Sequence, residues 1–229
     1  MSEKIRGMFA HLSGKYDLMN SIITLGLHKR WRKKAAKLSG AKSGDSVLDC
    51  ASGTGDFAFE FKKIVGDSGK VLAVDFCQEM LDEIPKKISS NNLNIEFQTA
   101  DILSLPFPDD SFDFASIGYG VRNVDYPKIC IMEMSRVVKS GGKIIILETG
   151  QPPAFIRFFS NIYTFIFVRL AGKIIAGDWK SYTYLTTSAS KFPYGKEFTS
   201  ILESTNKLND IITYPLLFGV SYIYLATVK

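Results

Sequence analysis

The sequence predicts an α/β fold: a mostly parallel sheet with helices on both faces. Two observations carry that expectation. From Asp45 onward, short apolar runs alternate with segments of helical period. At the first junction, Val47-Leu48-Asp49-Cys50-Ala51-Ser52-Gly53-Thr54-Gly55-Asp56-Phe57-Ala58 passes from an apolar strand through a small-residue turn into a helix start. In open parallel sheets, ligands bind beyond the carboxyl ends of the strands, at turns of this kind. Gly53 and Gly55 lack a Cβ, so the backbone there can bend sharply and lie close to a ligand.

The elements follow in order. Residues 3 to 40 read as helical, with Phe9, Leu12 and Tyr16 at helical spacing and Asp17 placed as an N-cap. A basic helix, residues 28 to 38, carries Trp31, Ala35 and Leu38 on one edge and is stopped by Gly40. Strands are expected at residues 46–50, 70–75, 95–99, 112–117 and 143–148. Helices are expected between them, near residues 56–65, 78–87 and 126–138, with Pro85 interrupting the second. After helical pieces at residues 180–190 and 196–205, two apolar stretches at residues 211–217 and 220–228 predict a hairpin added to the sheet. The chain reads as one domain: a helical cap (1–44), a ligand-binding core (45–150), a helical lid (151–206) and closing strands (207–229).

At 229 residues, 46% apolar and 22% charged, the chain can bury a full core. Its three cysteines, Cys50, Cys77 and Cys130, are scattered, and His11 and His28 are its only histidines. Neither a structural zinc site nor a disulfide framework is expected, and the usage fits a reducing cytoplasm. The first six residues hold no apolar run of the kind a secretory signal needs. Residues 1 to 45 hold ten Lys or Arg against three acids, so the basic excess lies in the N-terminal segment. Such a face suits an anionic membrane, a nucleic acid, or simple solvation.

The acids decide between two cofactors. Gly53-Thr54-Gly55-Asp56-Phe57-Ala58 fits the dinucleotide pattern G-x-G-x-x-A, but a pyrophosphate wants a bare, positive helix N-terminus. Asp56 would repel it. S-adenosylmethionine carries no phosphate and has a cationic sulfonium, which suits Asp49, Asp75 and Asp101 at successive strand ends. Asp75 follows Gly55 by the interval usual for an acid on ribose hydroxyls. At Asp101 a carboxylate can take the adenine amino group while Ile102 packs on the ring. The fourth strand ends in Gly118-Tyr119-Gly120-Val121-Arg122-Asn123, an ending that suggests a pocket wall. Residues 155 to 176 are rich in Phe and amphipathic, but their uncharged core is shorter than the roughly 20 residues a spanning helix needs. They suit core packing, a greasy lid or an interfacial helix.

Tyr16-Asp17-Leu18-Met19-Asn20, with His28 and Trp31, resembles the N-terminal signature of the ubiquinone/menaquinone biosynthesis C-methyltransferases. Arg136-Val137-Val138-Lys139-Ser140-Gly141-Gly142 with Glu148 resembles their second signature, and 120–124 and 178–185 are also similar to family segments. Thr24, Ser52, Tyr119, Ser140 and Gly150 depart from the usual residues. The resemblance implies a Rossmann-like class I methyltransferase with a seven-stranded sheet and a Phe-rich helical insertion after strand 5. It implies methyl transfer from S-adenosylmethionine to a ring carbon of a prenylated quinol, demethylmenaquinol or a methoxy-polyprenyl benzoquinol. Thr54, Asp75, Asp101, Ile102 and Gly118 match cofactor-contact positions; Asp49, Gly53 and Gly55 complete that set. Tyr16, Asp17, Asn20 and Tyr119 are expected to close the pocket.

The chemistry requires a phenolate, formed from a group of pKa near 10, to push electrons onto the ring carbon that attacks the methyl. Arg122 could stabilise the phenolate and Asn123 orient a hydroxyl, with His28, Asp17 or a water held by Arg122 as base. The expected partners are a lipophilic quinol, the inner face of a membrane and a second copy of the chain, without nucleic acid or metal. Methylation of nucleic acid or another small molecule, and a non-catalytic assembly role, are the rival functions.

Overall fold

A computed structural model describes residues 3–157, 184 and 187–229. Three helices lead: α1 (Glu3–Leu12), α2 (Tyr16–Ile23) and α3 (Leu27–Ser39). Strands and helices then alternate: β1 (Ser46–Cys50), α4 (Asp56–Val65), β2 (Lys70–Asp75), α5 (Gln78–Leu81), α6 (Ile84–Asn91), β3 (Glu96–Thr99), β4 (Phe112–Gly118), α7 (Pro127–Val137) and β5 (Val138–Thr149). The described chain closes with α8 (Lys196–Glu203), β6 (Leu208–Leu216) and β7 (Ser221–Val228).

The seven strands form one sheet in the order β3-β2-β1-β4-β5-β7-β6. The first five run parallel; β7 is antiparallel to both β5 and β6. Strand residues alternate between two apolar layers, because successive side chains leave opposite faces of a strand. Leu48, Ala115, Ile144 and Tyr224 meet α7 and α8 on one face, through Ile131, Met134 and Phe198. Val47, Val71, Ile145 and Ile223 meet α3 and α4 on the other, through Trp31, Ala35, Phe57 and Phe61. Both layers are built from buried apolar side chains, and each fully buried Leu, Ile or Phe contributes about 1.5–3 kcal/mol of transfer free energy. The fold is the doubly covered, Rossmann-like sheet the alternation predicted, with the expected closing hairpin.

Local chemistry explains the differences in detail. The expected basic helix is real and ends at Gly40, which takes a left-handed φ of +80°. It packs on the sheet as a layer helix, so only α1 and α2 stand over the strand ends. They meet α5 through Phe9, Leu12, Met19, Cys77 and Met80. Asp17 does not cap α2: the helix begins at Tyr16, Lys15 occupies the N-cap position, and the Asp17 side chain turns to other partners. Pro85 splits the helix expected at 78–87 into α5 and α6 and sits in the first turn of α6, where a missing N–H costs nothing. The Phe-rich segment expected at 155–176 and the helix at 180–190 fall largely outside the described residues.

Candidate active site

The turn after β1 is held from beneath by its own acids. Asp49 is fully buried, accepting from Ser116 Oγ at 2.6 Å, Ser52 Oγ at 2.5 Å and the Ala58 N–H at 3.1 Å. Burial pushes its carboxyl up to about 6, against these donors. Asp75 Oδ2 accepts the Gly53 N–H at 2.8 Å and Oδ1 the Cys77 N–H at 2.9 Å, and burial raises its pKa too. Gly53 takes a φ of +58°, and a Cβ there would approach Met80 Cε to 3.1 Å. Gly55, also left-handed, leads into α4.

A cleft opens above this turn. Its floor runs from Gly53 and Asp75 to Gly118 and Asn123, and Phe9 and Tyr16 roof it. At Gly118 a Cβ would approach Phe57 Cδ1 to 3.1 Å, so the strand end packs against α4 with no room for a side chain. A smaller apolar slot adjoins it, between Phe76, Ile102, Val124 and Ala51, with Asp101 at its mouth. The exposed Asp101 carboxylate accepts the Leu103 N–H at 2.9 Å, which fixes its direction. These groups fit S-adenosylmethionine. The slot offers apolar faces and one carboxylate to a flat base, Gly53, Gly118 and Gly120 leave backbone exposed along the cleft beneath the aromatic roof, and buried acids favour a cation over a phosphate.

Tyr119, Gly120 and Asn123 form the far wall, and Arg122 is buried beside it against Tyr119. Arg122 Nη1 donates to Glu148 Oε1 and to the Tyr119 carbonyl, each at 2.7 Å. Glu148 is buried and also accepts the N–H groups of Arg122 and Thr149. Arg122 Nε is buried with no hydrogen-bond partner among the described residues. Tyr119 has a φ of +61°, which turns its carbonyl toward both Arg122 and Asn123. Its ring lies under the guanidinium groups of Arg32 and Arg122, at 5.4 and 5.8 Å. Burial holds its phenol up to about 12. Asn123 Oδ1 accepts from Tyr184 at 3.5 Å.

His28 stands differently from its expected role as base. An arginine N–H only donates, so Nδ1 must accept from Arg32 Nη1 at 2.5 Å, and Nε2 carries the proton toward Ser21 Oγ at 3.2 Å. Ser21 donates onward to the Asp17 carbonyl. Both ring nitrogens are thus used within the N-terminal helices. Burial, reinforced by Arg32, lowers its pKa to about 4. Asp17 is equally committed: Thr54 Oγ1 donates to Oδ1 at 2.6 Å, and Lys87 Nζ lies 2.6 Å from Oδ2. Lys87 also pairs with Asp56 at 2.5 Å and donates to Thr54, pinning α2 to the turn. Asn20 is half-buried on α2, where its carbonyl accepts the N–H and hydroxyl of Thr24.

Gly53, Asp75, Gly118, Tyr16, Tyr119 and Asn123 line the cleft, and Asp101 and Ile102 line the adjoining slot. Asp49 and Gly55 shape the turn, Thr54 faces Asp17 and Lys87, and Arg122 is buried beside Tyr119. Sequence reasoning missed Phe76, Val124 and Tyr184. Phe76 follows the acid that ends β2, the one local signal that could have found it.

A model of the ubiE/COQ5 methyltransferase family matches residues 1–227. The chain is 42% identical over 229 residues to a protein of Bdellovibrio bacteriovorus named ubiquinone/menaquinone biosynthesis C-methyltransferase UbiE, covering 99% of this chain and 97% of the relative. It is 38% identical over 231 residues to a demethylmenaquinone methyltransferase of Bacillus cereus, covering 97% and 94%. Among solved structures, a SAM-dependent methyltransferase of Aquifex aeolicus shares the fold, with a TM-score of 0.60 and 20% identity over 86% of this chain and 89% of that one. The chain is a methyltransferase whose cofactor is S-adenosylmethionine, and it belongs to the ubiE/COQ5 methyltransferase family.

Proposed function

We propose that the acceptor is the ring carbon of a prenylated quinol, demethylmenaquinol in the first place. The observation that carries this reading is Arg122: a buried guanidinium beside the cofactor cleft whose Nε has no partner among the described residues. Bound S-adenosylmethionine supplies a methyl group made electrophilic by the sulfonium. The chain's own residues prepare the acceptor. Arg122, held by Glu148 and the Tyr119 carbonyl, stabilises the phenolate oxygen. Asn123, braced by Tyr184, orients the ring. With His28 and Asp17 both occupied, a water held against Arg122 takes the hydroxyl proton. Once the ring carbon carries the methyl, its own hydrogen leaves to water and the oxygen regains a proton, so the ring is aromatic again and one proton is released in all.

Asp75 and Asp101 hold the sugar and base of the cofactor, Ile102 packs on the base, and Thr54 and Gly118 line its path. Asp49 braces the turn that they share. Tyr16 closes the cleft from above, so water is excluded once substrate is in place. In this single-domain reading α1 and α2 cap the cleft while α3 joins the helix layer on the sheet, so the cap is shorter than residues 1–44. The lipid nature of the acceptor implies work at a membrane face in the cytoplasm. The relatives' names support a quinol; the demethylmenaquinone methyltransferase at 38% identity favours the naphthoquinol.

The test is methyl transfer from labelled S-adenosylmethionine to two reduced quinols in detergent, a naphthoquinol lacking its ring methyl and a methoxy-benzoquinol. Product from the naphthoquinol is expected. Product from the benzoquinol alone would move the chain to ubiquinone synthesis, and product from neither would end the quinol reading.

A further inference from the structure

Resting on the reading of a prenylated, membrane-borne acceptor, we infer that the protein docks on an anionic bilayer through two apolar turns at the carboxyl edge of its sheet and the basic face of α3. Three large apolar side chains stand out of this edge on backbone that such residues avoid. Leu25, between α2 and α3, has a φ of +51° and is 72% exposed. Leu217 and Phe218, between β6 and β7, have φ of +42° and +55° and are 49% and 72% exposed. Bulky L-residues rarely take left-handed backbone, and it persists only where the surroundings enforce it. Each turn already has its permissive glycine, Gly26 and Gly219, yet adds Leu or Phe in the left-handed region beside it.

The two turns share one edge. β7 runs antiparallel to both β5 and β6, so β6 is parallel to β5 and its turn lies beyond the carboxyl ends. The N-terminal half of α3 reaches the same place. Arg32 lies over the Tyr119 ring, and Tyr119 Oη is 3.2 Å from Ser221 Oγ at the start of β7. Leu27, Leu216 and Val220 pack into one apolar cluster beneath the turns.

Beside them α3 shows solvent only positive charge. Lys29, Arg30, Lys33, Lys34 and Lys37 are exposed within one arc of the helix, Trp31, Ala35 and Ala36 pack on the opposite arc, and the helix contains no acid. No described helix is long and apolar enough to cross a membrane. Apolar tips beside a row of cations suit a lipid surface: the tips enter the acyl boundary while ammonium and guanidinium groups meet anionic head groups. Cations alone would suit RNA equally well, but the exposed Leu25, Leu217 and Phe218 have no use on a polyanion. A second copy would set two like-charged helices against each other.

The experiment is co-sedimentation of the full chain with vesicles of phosphatidylcholine, with and without phosphatidylglycerol. Binding is expected only to the anionic vesicles and should weaken as salt rises. Leu25→Ser and Phe218→Ser should each reduce it about tenfold. Replacing Lys29, Arg30 and Lys33 by Gln should cost about fivefold per cation. All variants should melt as the parent does and methylate a short-chain, water-soluble quinol at the parent rate. Binding that ignores lipid charge, binding that survives both classes of variant, or capture of RNA in place of vesicles would overturn the docking face. Vesicle binding that responds to the variants, in a protein inert toward every quinol, would leave the docking face standing and sink the acceptor assignment instead.

Discussion

Asp49 and Arg122 are buried charges at the carboxyl ends of neighbouring strands, and they are housed in opposite ways. Asp49 takes three donors from its own chain, two hydroxyls and one backbone N–H. Arg122 has a strong partner in Glu148 but keeps a buried Nε with no partner among the described residues. An unmatched buried donor costs roughly 1–3 kcal/mol. The turn after β1 is satisfied by its own donors, whereas Arg122 Nε is left without a partner among the described residues, which is where the proposed acceptor oxygen would bind. The two regions are thus built differently: a fully satisfied, rigid turn in the first, and in the second a buried cation with one donor unmatched among the described residues.

Breaking the second region should have the largest effect. Arg122→Ala is expected to lower kcat by about 10²–10³-fold, the range for losing one oxyanion donor, with cofactor Kd little changed. Because it strands the buried Glu148, the double variant Arg122→Ala/Glu148→Gln separates folding from catalysis. An unchanged kcat in either would remove Arg122 from the chemistry.

The pH dependence of stability tests the first region. His28 has a folded pKa of about 4 against 6.5, so the unfolded chain gains a proton the folded ring refuses, and stability falls as pH drops through this window. Asp49 has the opposite sign: at about 6 against 3.8, its folded carboxyl takes the proton first, and stability rises as pH drops from 6 to 4. Each effect is about 3 kcal/mol, so the two largely cancel. Asp49→Asn should uncover the His28 slope and steepen acid destabilisation, read from urea midpoints between pH 7 and 4. A profile parallel to the parent's would show that Asp49 does not titrate there.

The smallest effect belongs to the contact joining the N-terminal helices to the turn. Thr54→Val removes the Thr54 hydroxyl from Asp17 and Lys87 and should cost about 1 kcal/mol. Amide exchange in α2 should rise with little change elsewhere; uniform exchange would mean that the contact does not secure α2.

Much of this was legible in the sequence, because the strand-turn-helix pattern and the acids that end strands are local signals. The parallel sheet, the Gly53–Gly55 turn and the split at Pro85 all follow from neighbours within a few residues. What was not legible depends on distant partners. Asp49 is bound by Ser116, 67 residues away, so its bracing role could not be read from its own turn. His28 is the exception, since its partners Arg32 and Ser21 lie four and seven residues away and the i,i+4 spacing to Arg32 on one helix was a local signal that went unread. Asp17 had the position of a cap, yet its partners Thr54 and Lys87 come from the turn and from α6. Tyr184 reaches Asn123 only through the tertiary fold.

The place of β7 has a consequence for how the protein is made. It is the last strand in chain order but an inner strand in space, bonded to β5 on one side and β6 on the other. During synthesis β5 therefore waits with an open edge, and β6 emerges with no seat in the sheet. An unpaired edge is a template for wrong partners. The ribosome must release Ser221–Val228 before either strand is protected, so the nascent protein is most open to aggregation just before its final strand appears.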